Sequence, residues 1–193
     1  MSAPPKTAPH VVLRELAASD RDRLLAWRNQ PEVARWMYSD HAISPEEHAR
    51  WFEAAMADRR RRYWVIEAGG KPVGLANLYD LAPEHRRTSW AYYLADPSTR
   101  GQGIGAFVEY WVIEHVFADL GLHKLWCEVL IGNEGVWKLH EGFGFRREAL
   151  FRDHVMKDGA PADVVGLGLL KSDWVVQRPA SRERLVSRGF ELP

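Results

Sequence analysis

Hydrophobic positions along this chain switch between a period of two and a period near 3.6, and the switches mark the elements. Val11, Val12, Leu13 and Leu16 predict a first strand. A helical spacing follows over residues 20–29, with Leu24, Leu25 and Trp27 in it and Ser19 as its expected N-cap. Pro31 predicts the first turn of a short helix to residue 37. Ser44, Pro45 and Glu47 make a capping-box pattern, so a helix is expected to about residue 58, burying Trp51, Phe52 and Ala55. The basic run 59–62 reads as a solvated helix end. Apolar runs at 63–68 and 73–79 flank Gly69 and Gly70, a hairpin signal. Residues 83–87 read as a polar loop, and the aromatic run 89–95 as a central strand. A Gly-rich turn then opens an apolar helix with Ile104, Val108, Trp111 and His115 on one face, ending near Asp119 with Gly121 beyond. A buried strand at 125–130, a short helix from Asn133 to about 141, and strands at 145–155 and 162–170 around Asp158-Gly159 complete the pattern. This order predicts an α/β (α+β) fold: a mixed, mostly antiparallel central sheet of about seven strands flanked by helices. Residues 1–9 read as a disordered tail, 10–175 as one domain, and 176–193 as a polar, mobile tail that could dock only through Leu185, Val186 and Phe190.

Composition narrows the class. The chain has 193 residues, 46% of them hydrophobic, enough for one domain with a full core. Basic and acidic residues balance at 26 each, which argues against a nucleic-acid binder. The single cysteine, Cys127, excludes an internal disulfide framework and fits a cytoplasmic protein. No apolar run approaches the ~20 residues of a membrane helix, so no membrane partner is expected. The histidines are scattered without metal-ligand spacing, so no metal is expected.

Candidate chemistry centres on Arg100, Gly101, Gln102, Gly103, Ile104, Gly105 and Ala106. Glycines let backbone approach a ligand closely. The first-turn N–H groups of the following helix have no internal partner and, with the helix dipole, favour a phosphate. Arg100 adds a planar cation. The spacing is neither that of a P-loop nor that of a dinucleotide fingerprint. Bulky side chains at Gly103 or Gly105 are expected to enter the phosphate space and weaken ligand binding before folding.

The Arg-x-x-Gly-x-Gly run resembles the acetyl-CoA pyrophosphate loop of the GNAT N-acetyltransferase superfamily. The segment from Asn133 through His140 to Gly144 and Phe145 is similar to its Asn…Tyr…Gly-Phe stretch, and the C-terminal hairpin closed by Trp174 resembles its ribosomal-protein and aminosugar branch. The resemblance spans about residues 11–174. Trp27-Arg28-Asn29, Trp36-Met37-Tyr38-Ser39, Ser44 and His48 resemble the N-acetyltransferases of pseudaminic acid biosynthesis, which acetylate the 4-amino group of UDP-4-amino-4,6-dideoxy-N-acetyl-β-L-altrosamine for flagellin glycosylation.

The resemblance implies direct attack of an amine on the acetyl thioester of acetyl-CoA. It implies that Tyr93, Leu94 and Ala95 meet the pantetheine as an added strand would, that the N–H near Leu94 meets the oxyanion, and that Asn133 contacts the pantetheine region. His140 stands where the superfamily usually has Tyr; it is either the thiol's proton donor or a polar helix residue beside the coenzyme, with Tyr92 and Tyr93 as alternative donors. Glu128 is the candidate base, ahead of His48 and Glu47. Arg28 would pair with a diphosphate, and Asn29, Trp36, Met37, Tyr38, His48 and Tyr92 complete an acceptor site for a nucleotide sugar. A homodimer is the expected assembly. A protein N-terminus is the alternative acceptor, and a non-catalytic acyl-CoA-binding module the alternative role.

Overall fold

The computed structural model describes residues 8–193, so all but Ala8 and Pro9 of the expected N-terminal tail lies outside the described residues. One mixed sheet organises the chain, in the order β1-β2-β3-β4-β5-β7-β6. Its strands are β1 (Val11–Glu15), β2 (Arg62–Ala68), β3 (Lys71–Ala82), β4 (Arg87–Leu94), β5 (Lys124–Leu130), β6 (Arg146–Lys157) and β7 (Ala160–Leu170). Gly69 and Gly70, at φ 57° and 76°, make the tight β2–β3 turn that two left-handed residues allow. Asp158 and Gly159, at 50° and 75°, do the same between β6 and β7.

Alternation along the strands builds two cores, one on each sheet face. On β2, Trp64 and Ile66 face one layer and Val65 the other. On β3, Ala76 and Leu78 join the first layer and Leu75 the second. The first layer is covered by α4 (Ile104–Glu114), α5 (Glu134–Gly142) and α6 (Lys171–Val186). The second is covered by α1 (Arg21–Arg28), α2 (Pro31–Ala34) and α3 (Pro45–Ala57). A π-helical turn, His115–Asp119, extends α4 before Gly121 ends it.

β4 and β5 form the one parallel pair in the sheet, and it is short. It runs only from Arg87↔Lys124 to Ser89↔Trp126. Beyond it the strands splay, because β4 stays with β3 through Leu94 while β5 stays with β7 through Leu130. The result is a wedge in the middle of the sheet, open at the C-terminal ends of both strands.

Four local expectations are corrected. Ser19 does not cap α1: the buried Asp20 carboxylate holds that entry, accepting from the Ala17 N–H at 3.1 Å and pairing with Arg14 at 2.7 Å. The helix from Pro31 stops at Ala34. The run 59–62 is solvent-facing but is not the helix end: that helix stops at Ala57, and Arg60 and Arg61 pair with Asp80 and Asp58. Residues 176–193 are not a mobile tail. Residues 176–186 continue α6, which Trp174, Ser181 and Leu185 bury along one face. Phe190 beyond it packs on Phe107 with ring centroids 5.4 Å apart, so the segment docks through Leu185 and Phe190 while Val186 stays exposed.

Candidate active site

The wedge opens into a cavity of about 580 Å³. One wall is β4 from Trp90 to Leu94; the opposite wall is Cys127, Glu128, Val129 and Leu130 of β5. A second groove of about 410 Å³ runs along the Gly-rich turn and the start of α4. Leu94, Arg100 and Glu32 line both, so one leads into the other.

The groove is built from backbone. Asp96 accepts from the Ser98 N–H at 2.8 Å, and the Gln102 amide donates back to the Ser98 carbonyl at 2.6 Å. Gln102 therefore braces the turn with its side chain, and its N–H is taken by Thr99. Gly103, at φ 80°, caps α4, and the first helical bond is Phe107 N–H to Gly103 carbonyl. The N–H groups of Ile104, Gly105 and Ala106 remain free for a ligand. Ile104 and Ala106 bury their side chains, which leaves backbone at the groove. Arg100 and Arg188 flank it, neither with a carboxylate partner among the described residues. A diphosphate fits such a cradle: a Cβ added at Gly101 meets nothing within 4 Å, so that backbone lies open. The expectation for Gly103 and Gly105 is corrected, because a side chain there meets protein. At Gly103 it meets the Phe190 ring at 3.1 Å and the Arg188 guanidinium at 3.3 Å; at Gly105 it meets the Tyr92 hydroxyl at 2.9 Å.

Strand alternation sets the next part of the site. The Ala95 N–H donates to the Val73 carbonyl at 2.8 Å, and Leu75 pairs with Tyr93. Antiparallel pairing alternates, so the intervening Leu94 turns its N–H away from β3 and into the wedge. Asn133 opens α5 without capping it by its side chain, which lines the cavity.

His140 lies deeper, on the inner face of α5. Its Nδ1 sits 2.8 Å from Oε1 of Glu109 on α4, and both residues are buried. Burial alone would lower the imidazole pKa, but the Glu109 carboxylate, helped by Cys127, outweighs it and pushes His140 up to about 10. Tyr92 stacks on Trp90 at 5.5 Å, and Tyr93 sits edge-on to Trp27 at 6.4 Å. Burial pushes both phenols above their ordinary range, which makes them weaker proton donors.

The acceptor end is aromatic and basic. Trp36, Met37 and Tyr38 close over the cavity, and the Tyr38 hydroxyl donates to Glu128 at 2.8 Å. Burial and this bond raise the Tyr38 pKa. The β6–β7 turn clasps the loop: Lys157 pairs with Asp40 at 3.1 Å and donates to the Ala34 and Ser39 carbonyls. Arg28 donates to Ser39 Oγ at 2.9 Å, and burial lowers its pKa.

Two expected acceptor residues are not brought into the cavity. Both polar ends of the Asn29 amide bond the backbone of Ile43, at 2.9 and 2.8 Å, so Asn29 staples the loop before α3. His48 is buried against Trp51, with Nε2 2.8 Å from the Arg21 carbonyl, and it does not line the cavity. Sequence reasoning missed Arg35, Glu109 and Arg188. Glu109 alone carried a signal, a carboxylate inside an otherwise apolar helix run.

The family comparison agrees with this geometry: the acetyltransferase (GNAT) domain matches residues 10–146. The chain belongs to the GNAT acetyltransferase family. It is an N-acetyltransferase whose acetyl donor is acetyl-CoA. YdaF of Bacillus subtilis, a candidate ribosomal N-acetyltransferase, is 29% identical over 178 residues, 88% of this chain and 96% of that one. Spermidine N(1)-acetyltransferase of Escherichia coli is 21% identical over 180 residues, 93% of this chain and 96% of that one. The fold matches that of Vibrio cholerae spermidine N-acetyltransferase, crystallised with CoA and spermine, at a TM-score of 0.80 and 22% identity, over 86% of this chain and 98% of that one. Among the described residues no group of three or more His, Cys, Asp or Glu is placed to hold a metal, and no helix is long and apolar enough to cross a membrane.

Proposed function

We propose that this N-acetyltransferase acetylates the 4-amino group of a UDP-linked 4-amino-4,6-dideoxy sugar, UDP-4-amino-4,6-dideoxy-N-acetyl-β-L-altrosamine, in the pseudaminic acid route. The observation that carries the reading is the cavity wall. Arg28, Arg35 and Arg100 face it, with Arg61 already paired to Asp58, against Glu32 and Glu128, beside Trp36, Met37 and Tyr38. Guanidinium forks suit a diphosphate, and aromatic faces suit a uracil and a 6-methyl group.

Acetyl-CoA supplies the acetyl thioester. The free N–H groups of Ile104, Gly105 and Ala106, with Arg100 and Arg188, hold its diphosphate. Asn133 and the outward edge of β4 hold the pantetheine arm. The Leu94 N–H receives the oxyanion, a kind of donor worth roughly 3–4 kcal/mol elsewhere. Glu128 accepts the amine proton, with Tyr38 fixing its carboxylate. His140 protonates the departing thiolate. β6 is an edge strand with Leu150 and Met156 exposed, which suits a homodimer contact.

The test is free-thiol release from acetyl-CoA with the sugar nucleotide as acceptor. Release well above the hydrolysis background, saturable in the sugar nucleotide, supports the assignment; background release from folded protein removes it. The similarity to YdaF favours a second reading, a protein N-terminus as acceptor. Peptide acetylation indifferent to added UDP would select that one.

A further inference from the structure

We propose that Glu109 is a positioning residue for acetyl transfer: from the buried face of α4 it holds the His140 ring protonated on both nitrogens and aims the free one at the departing sulfur. This rests on the proposed role of His140 as proton donor.

The geometry is specific. Glu109 is completely buried, and its Oε1 lies 2.8 Å from His140 Nδ1. Its other oxygen, Oε2, has no hydrogen-bond partner among the described residues. The His140 N–H is thus what compensates a carboxylate taken out of water, so ionised Glu109 demands a proton on Nδ1. With Nδ1 committed, Nε2 is the ring nitrogen left toward the cavity wall, where Cys127 also hydrogen-bonds the ring and would give way to the departing sulfur. The ring is clamped by Trp90, at 5.2 Å between centroids, and by Phe145, at 5.3 Å, and it borders the cavity. The titratable groups facing the pair are Cys127 from β5 and Tyr92 from β4; among the described residues no Lys or Arg pairs with Glu109.

Stability does not explain such a pair. Taking two charges out of water costs about what their attraction returns, and well-packed apolar residues would serve as well or better. Acid strength does explain it. An isolated imidazole, near pKa ~6.5, is largely unprotonated at neutral pH, and burial would deprotonate it further. The Glu109 carboxylate reverses this and brings His140 to about 10. Raised above its ordinary value, the ring keeps its proton at neutral pH and moves toward the range of a thiol, ~8.5. The acid is charged when needed and close enough in strength to give its proton to a thiolate.

The step balances. The acceptor nitrogen bonds to the acetyl carbon, the carbon–sulfur pair leaves with sulfur, and the Nε2 proton of His140 goes to that sulfur. Glu128 takes the amine proton. Proton return from Glu128 through solvent to His140 restores both groups, so no further reactant is needed.

Glu109→Gln keeps the shape and removes the charge. Two readouts separate this proposal from the donor role of His140. The first is NMR titration of the His140 ring, with and without CoA. It should titrate near pH 10 in the native enzyme, and at least about three pH units lower in the variant. The second is the alkaline limb of the kcat profile, which should move down with it, while Glu109→Gln/His140→Tyr regains turnover at pH 8–9. An unmoved His140 titration overturns the proposal. A moved titration with an unmoved kcat limb removes His140 as donor and the catalytic part with it. If Glu109→Gln does not fold, the native titration decides: a His140 ring that titrates at or below its ordinary pKa overturns the proposal.

Discussion

A methyl group added at Gly105 would sit 2.9 Å from the Tyr92 hydroxyl, and Tyr92 is held by its stack on Trp90. Gly105→Ala must therefore push a ring in the core, at about 1–3 kcal/mol. The expected outcome in denaturant unfolding is a loss of that size, with little change in CoA affinity for the protein that remains folded. Gly101 is the opposite case. At φ 75° over open groove, Gly101→Ala bears the left-handed penalty of about 1–2 kcal/mol and also places carbon in the ligand's path, so calorimetry should show weaker CoA binding. Spacing in the chain located this turn correctly. It did not say which way each Cα–H points, and that depends on Tyr92 and Phe190, distant in sequence. The same limit applies to His48 and Asn29. Their residue types suggested chemistry, but the Arg21 carbonyl holds His48 Nε2 away from the cavity and Ile43 takes both ends of the Asn29 amide. Glu128→Gln should lower kcat by about 10²–10⁴-fold and leave CoA affinity unchanged, the mark of a residue that moves a proton without holding the donor.

At the level of elements, α6 was the one helix hidden in the sequence. Its charges and Pro179 concealed an apolar stripe of Trp174 and Leu185 that only tertiary packing makes decisive. The strand–turn–helix around Gly103 and both hairpin turns were legible because glycines with positive φ fix them locally. The splay of β4 from β5 was not, since it follows from which neighbour each strand keeps beyond Ser89 and Trp126. Past the end of α6, Phe190 on Phe107 sets Arg188 beside Gly103, where the proposed coenzyme diphosphate would lie. Leu185→Ala, at a fully buried site, should cost about 2–5 kcal/mol in unfolding free energy. Arg188→Ala should leave stability alone and weaken CoA binding up to about fivefold, the ~1 kcal/mol of an exposed charge pair, with the difference fading as salt rises.

Over the whole molecule the charges cancel, 26 against 26, yet they are not evenly spread. Asp20 and Glu67 neutralise Arg14 on the far side of the sheet, and Glu114 neutralises Arg178 on α6. Arg28, Arg35 and Arg100 are left around the central cavity against Glu32 and Glu128, Arg61 being paired with Asp58. Its walls are of low dielectric, which sharpens that imbalance at the acceptor end. On the proposed reading an anionic acceptor is drawn in and a polycation meets like charge. Spermidine is the decisive comparison, because a spermidine acetyltransferase shares this fold at a TM-score of 0.80. Like-charge juxtaposition costs several kcal/mol, and about 2.7 kcal/mol is already a hundredfold. Spermidine should therefore show a kcat/KM at least about a hundredfold below that of the sugar nucleotide. The KM for the sugar nucleotide should rise with ionic strength, while Arg28→Ala raises it further and flattens that salt dependence. Spermidine turnover matching the sugar nucleotide, or a salt-independent KM, would show that these arginines do not choose the acceptor.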